Sequence, residues 1–93
     1  MPVYFVTYDL IAKKGETRDY KPIWDAIDTF PNFQALYSVF LVQAANTRAV
    51  EITITPSLRK TDRYFIDRVR AGDEHKYRAI KGINQWLKDH PLA

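Results

Sequence analysis

The segment YFVTYDL, Tyr4 to Leu10, is apolar or aromatic almost throughout and then brings in a carboxylate at Asp9. An acid at the end of a core-like segment has two uses. It can accept backbone N–H bonds in the loop that follows, as Asp often does after a strand, or it can ligate a cation. One carboxylate makes no strong site, but Mg²⁺ keeps several waters and needs few protein ligands. The other candidates for chemistry are sparser. His75 and His90 stand too far apart for a local ligand pair, and there is no cysteine to supply a thiolate. The glycines are isolated, so no phosphate-cradling loop is present. Ser38 has no histidine near it in sequence to activate it. Tyr64 and Phe65 beside Arg63 could stack on single-stranded bases.

The elements that must position these residues belong to one domain spanning residues 1–93. A chain of this length has an expected radius of gyration of about 12 Å and hides only about 60–65% of its unfolded surface, so association with a second copy would help it. With 46% hydrophobic and 27% charged residues the composition is that of a globular protein rather than a disordered one. No apolar run approaches the roughly 18 residues of a membrane span, and no basic region precedes the first apolar segment. A cytoplasmic protein with no membrane partner is expected. The net charge of +3 is uneven: residues 57–81 hold eight Lys/Arg and four acids, while the remainder is slightly acidic. Such a stretch is either a solvated face or a surface that attracts phosphate.

Pro2 to Asp9 reads as a strand with Val3, Phe5, Thr7 and Asp9 on one face and Tyr4, Val6, Tyr8 and Leu10 on the other. After a polar loop, Asp19 can cap a helix from Tyr20 to about Phe30, with Pro22 in its first turn. The stripe of that helix is Tyr20, Ile23, Trp24, Ile27 and Phe30. Phe33 to Ala44 is β-rich and long for one strand; it is either a bent strand or two strands joined by a turn near Tyr37-Ser38. Asn46 to Leu58 is ambiguous. Val50, Ile52 and Ile54 alternate like a strand, yet Asn46 or Thr47 could cap a helix that faces Val50, Ile54 and Leu58 inward. Arg63 to Val69 is a strand. Asp73 can cap a final helix from Glu74 to about Asp89 with an apolar stripe of Tyr77, Ile80, Ile83, Trp86 and Leu87. If the β-rich stretch is a hairpin and the ambiguous segment a helix, the chain is α+β: a ferredoxin-like βαββαβ antiparallel sheet with an added C-terminal helix.

A four-stranded sheet with helices on one side normally wets its other side. Here both faces of the first strand are apolar, and the last strand is equally mixed. The second face must therefore be covered, either by another copy of the chain in a two-fold dimer or by the terminal helix folding back through Trp86 and Leu87. Between the two, we take the homodimer as the expectation.

An N-terminal strand ending Tyr8-Asp9-Leu10, a basic loop with Lys13-Lys14, an amphipathic helix, and then Tyr37-Ser38-Val39-Phe40 occur in this order within about ninety residues. The pattern resembles the superfamily of small ferredoxin-like proteins that includes the CRISPR-associated adaptation nucleases of the Cas-two type, the VapD-like ribonucleases and the SinR-like proteins, and is most similar to the SinR-like branch. The resemblance runs from Val3 to Val69. It implies a sheet-mediated homodimer, a helix at Asn46–Leu58, and a metal-dependent endonuclease acting on RNA or DNA phosphodiesters. On this sequence it makes Asp9 the Mg²⁺ ligand, with Ser38 beside the metal, Phe40 shaping the groove, and Lys13, Lys14, Arg18 and Arg63 holding the strand. The chain departs from the nuclease branch in its longer loop after Asp9 and in Leu36, which stands where a glutamine is usual. A non-catalytic dimeric scaffold or a nucleic-acid- or protein-binding module of the same fold is the alternative.

Overall fold

The computed structural model describes residues 1–72 and 77–92. The elements run β1 (Val3–Asp9), α1 (Lys21–Ile27), β2 (Asn32–Leu36), β3 (Val39–Gln43), α2 (Thr47–Ile54), β4 (Arg63–Val69) and α3 (Ile83–Asp89), with a short 3₁₀ turn at Thr55–Ser57. The four strands form one sheet in the order β2-β3-β1-β4, and every neighbouring pair is antiparallel. The fold is α+β, with α1 and α2 on one face of the sheet and α3 on the other.

The β-rich stretch resolves into a hairpin whose turn is Tyr37-Ser38, and a register shift between Gln34 and Leu36 bends the short edge strand β2. The ambiguous segment is helical. The side chain of Asn46, in extended backbone, accepts the N–H of Ala49 at 2.8 Å and satisfies a donor that the first turn leaves orphaned. The strand-like alternation of Val50, Ile52 and Ile54 gives way to helical spacing. Val50 and Ile54 are fully buried, whereas Ile52 is exposed. Pro56 is absorbed in the 3₁₀ turn that ends the helix.

The core has two parts, one on each face of the sheet. Under α1 and α2 lie Tyr4, Val6 and Tyr8 of β1, Phe40 and Val42 of β3, and Ile23, Ile27, Val50 and Ile54 of the helices. On the other face Val3, Ala35, Val39 and Leu41 are covered by Ile83, with Trp86, Leu87 and Leu92 packed around them. The second apolar face is thus covered from within the chain, by the terminal helix rather than by a second copy. The apolarity of that face therefore gives no ground for the dimer expected from it. The cover reaches only Val69 at the end of β4 and leaves Phe65 61% exposed.

The terminal helix is shorter than its apolar spacing predicts. It begins at Ile83, and Tyr77 and Ile80 precede it in irregular chain. Gly82 stands immediately before it with φ 106°, a conformation that stops a helix continuing through it and that side chains other than glycine rarely adopt. The expected cap at Asp73 and start at Glu74 lie outside the described residues, as does His75. His90 closes the other end. Its ring stacks on Trp86 at 4.3 Å, and its Nδ1 lies 2.9 Å from the Trp86 carbonyl oxygen. The segment's spread over the second face gives the chain extents of 42 × 26 × 21 Å and a radius of gyration of 13.7 Å, above the compact expectation.

Candidate functional site

The end of β1 is fixed by a carboxylate fifty residues further on. Asp62, just before β4, has a fully covered side chain. Its Oδ1 accepts the Ile11 N–H at 2.9 Å, and its Oδ2 accepts the Arg59 N–H at 2.7 Å. Both oxygens also receive Arg18, through Nη1 at 2.6 Å and Nη2 at 2.7 Å, while Arg18 Nη1 donates to the Ile11 carbonyl as well. A second fork, Arg59 to Glu16 at 2.8 Å on both arms, ties the same two loops together. Between them Lys13 and Glu16 close a turn, with Gly15 at φ 78° in the position that a type II turn reserves for glycine. The loop after β1 is therefore clamped to the loop before β4.

Arg18, expected to hold a nucleic-acid strand, is instead the buried half of this clamp, its side chain 8% exposed. Sequence alone could not have paired it with Asp62, 44 residues away.

The clamp responds to pH. The Arg18 guanidinium, with help from two backbone N–H donors, holds the Asp62 carboxyl well below the usual carboxylate range. Arg59 lowers Glu16 from its ordinary 4.5 to about 2. Groups lowered in the folded state release stability as they are protonated. The contribution is complete above pH 4.5 and is lost as pH falls toward 2. Urea midpoints measured down a pH series are expected to be flat from neutral pH to about 5 and then to fall; in Glu16→Gln the fall is shallower.

Asp9 stands at the clamped end of β1, directly opposite Arg63 on β4. Its side chain lies on the face away from α1 and α2, with Thr7 and Phe65, in a shallow depression of about 140 Å³. Asp9 is exposed, and its carboxylate has no hydrogen bond or ion pair among the described residues. The two loop-capping roles open to a strand-end acid here fall to Asp62 and Glu16. Arg63 is exposed beside Asp9 without pairing to it. Lys13 and Lys14 are exposed on the clamped loop.

Tyr64 and Phe65 point to opposite faces. Tyr64 donates its hydroxyl to Glu51 of α2 at 2.6 Å, which raises its pKa, so Phe65 alone is left open on the Asp9 face.

Ser38 and Phe40 share the Asp9 end of the sheet but look into a different space. Phe40 pairs with Val6 on the helix-side face, is buried, and stacks on Tyr8 with ring centroids 6.3 Å apart. Ser38 is exposed in the β2–β3 turn. Both line a cleft of about 730 Å³ between α1 and the β2–β3 hairpin, together with Tyr8, Tyr20, Trp24, Asp28, Asn32, Gln34 and Tyr37. Asp9 does not line this cleft. Tyr20 and Trp24, placed in the core stripe of α1 by their spacing, lie on its flank, 40% and 44% exposed, because the helix buries only Ile23 and Ile27 fully. The signal that could have found the cleft is polar: Asn32 and Gln34 fall on the helix-side face of β2, where a covered strand would carry apolar residues.

Among the described residues no group of three His, Cys, Asp or Glu side chains is placed to hold a metal, and no helix is long and apolar enough to cross a membrane. No family model matches the chain, and no solved structure matches it.

Proposed function

We propose that the chain is a ferredoxin-like protein of the kind represented by the Cas-two, VapD-like and SinR-like proteins, working in the cytoplasm as a homodimer on phosphodiesters of RNA or DNA, with Asp9 as the Mg²⁺ ligand. The observation that carries the reading is the state of Asp9: an exposed carboxylate at a rigidly clamped strand end, with no partner among the described residues and with Arg63 opposite it. A single chain offers one carboxylate there, which fits Mg²⁺ only where few protein ligands are enough. A two-fold axis near β4 would bring a second Asp9 to the first, and the exposed Phe65 on the same face is an apolar contact for such an axis. The ion, when bound, would lower the pKa of a water and polarise the phosphodiester. Arg63, Lys13 and Lys14 would hold the phosphates. Attack at phosphorus breaks a P–O bond, and the proton released by the water leaves with the departing sugar oxygen or to solvent.

The lone acid also favours a second reading, a non-catalytic dimeric module that binds nucleic acid or protein through the same face. One experiment separates the two. Purified protein is incubated with labelled single-stranded RNA and DNA in Mg²⁺ or Mn²⁺, beside Asp9→Ala, with binding measured by filter retention. The first reading expects cleavage that drops to background in Asp9→Ala while retention stays. Retention without cleavage in the wild type leaves only the second. Sedimentation at micromolar concentration checks the dimer that both require, and a monomer there defeats both.

A further inference from the structure

We propose that the cleft between α1 and the β2–β3 hairpin is a binding site for the guanidinium group of an arginine side chain, independent of Asp9 and of any cleavage. The cleft holds about 730 Å³, within the size range of small-ligand sites. Its walls are aromatic faces. Tyr20 stacks on Trp24 with centroids 5.7 Å apart, Tyr8 and Phe40 stack behind them, and Tyr37 stands at the rim, 93% exposed. Its ring is the most exposed of the large hydrophobic side chains among the described residues.

The polar lining decides the charge of the occupant. Each side-chain nitrogen in the lining already donates a hydrogen bond, while the hydroxyls of Tyr20, Tyr37 and Ser38 can donate or accept. Trp24 Nε1–H donates to the Tyr8 hydroxyl at 2.7 Å. The Asn32 amide nitrogen donates to Asp28 Oδ1 and the Phe30 carbonyl, and the Gln34 amide nitrogen donates to the Tyr37 carbonyl. Beside these hydroxyls, the groups without a partner among the described residues are pure acceptors: Asp28 Oδ2 and the amide oxygens of Asn32 and Gln34. Among the described residues no Lys or Arg lines the cleft, and Lys21, on the same helix, is paired with Asp25 at 2.6 Å. Aromatic faces, a carboxylate and free acceptors without a cation repel phosphate and attract a positive group that brings its own donors. A guanidinium meets both demands at once, because its plane stacks on the rings while its edge donates to the oxygens. An ammonium is a compact point charge that cannot stack.

The test follows the two indole N–H signals in a ¹⁵N correlation spectrum, since Trp24 lines the cleft and Trp86 lies on the opposite face of the sheet. Capped arginine amide, capped lysine amide and adenosine monophosphate are titrated separately at constant ionic strength. The arginine compound is expected to shift the Trp24 signal saturably and leave the Trp86 signal in place, with lysine binding at least several-fold more weakly. Asp28→Asn is expected to weaken arginine binding about fivefold, and Tyr37→Ser to weaken it as well; both positions are exposed, so dispersed spectra should be retained. A Trp24 signal that does not saturate with arginine, an equal response to lysine, saturation by the nucleotide in its place, or unchanged affinity in both variants overturns the proposal.

Discussion

Asp62→Ala is expected to lower the unfolding free energy by about 3 kcal/mol, the lower end of the range for removing one partner of a covered ion pair. The lower end applies because the clamp lies under thin loops, where water can relax around the Arg18 left behind. Three losses combine: the Arg18 guanidinium loses its counter-ion, and the N–H groups of Ile11 and Arg59 lose their acceptor. In a chain of this size the melting temperature should drop by roughly 12–24 °C. Asp62→Asn should cost less, since the amide oxygen can still take one backbone donor. A double-mutant cycle with Arg18→Ala measures how much of the loss belongs to the pair itself. A change below about 1 kcal/mol, the worth of an ordinary surface ion pair, would show that the clamp does not hold in solution. Because Asp62 sets the end of β1, the same substitution should also loosen the backbone around Asp9, visible as faster amide exchange at Leu10 and Ile11.

Ile83→Ala should cost about 2–3 kcal/mol, toward the low end for a core isoleucine because Ile83 lines an open groove of about 530 Å³ with Phe5, Leu41, Val69 and Leu87. Ile83 is the one residue of α3 buried against Val3, Ala35, Val39 and Leu41. The cost tests whether the chain's own terminus covers the second face of the sheet. If that cover is intramolecular, the loss should be of this size and Trp86 fluorescence should shift red as its packing on Phe33 loosens. If a second copy were the true cover, Ile83→Ala would be nearly neutral and would leave Trp86 fluorescence unchanged.

Strand alternation makes β1 and β4 readable with their correct faces, whereas α1 is shorter than its stripe and its N-cap position falls on Tyr20, with Asp19 one residue ahead accepting the Lys21 N–H at 3.0 Å. The hairpin turn at Tyr37-Ser38 was visible as excess length for one strand. At Asn46–Leu58 propensity alone slightly favours a strand, since its β-branched residues satisfy both periods; the capping bond of Asn46 and the burial of Val50 and Ile54 go with the helix that topology and the resemblance imply. The terminal helix is shorter than its spacing because Tyr77 and Ile80 continue the helical period of Ile83, while Gly82, a residue type that marks a possible kink, takes a positive φ and ends the period there. At the candidate site, the sheet sets Arg63 opposite Asp9, while Ser38, expected beside the metal, lines a different cleft from Asp9. The pairing of Arg18 with Asp62 was invisible because it joins distant loops. The separation of Phe40 from Asp9 is a matter of which face each side chain takes.

The central place of β1 also fixes the order in which the chain can mature. β1 is the first strand to leave the ribosome, yet both of its neighbours lie far downstream, and the ladder to β4 spans roughly sixty residues. Until that last strand emerges, a nearly all-apolar ribbon has one flank unpaired. The early hairpin of β2 and β3 can shield its other flank, and α1 and α2 one of its faces. A sheet organised around its earliest strand is thus closed only by its last one, and the second face of that sheet stays open until α3 follows.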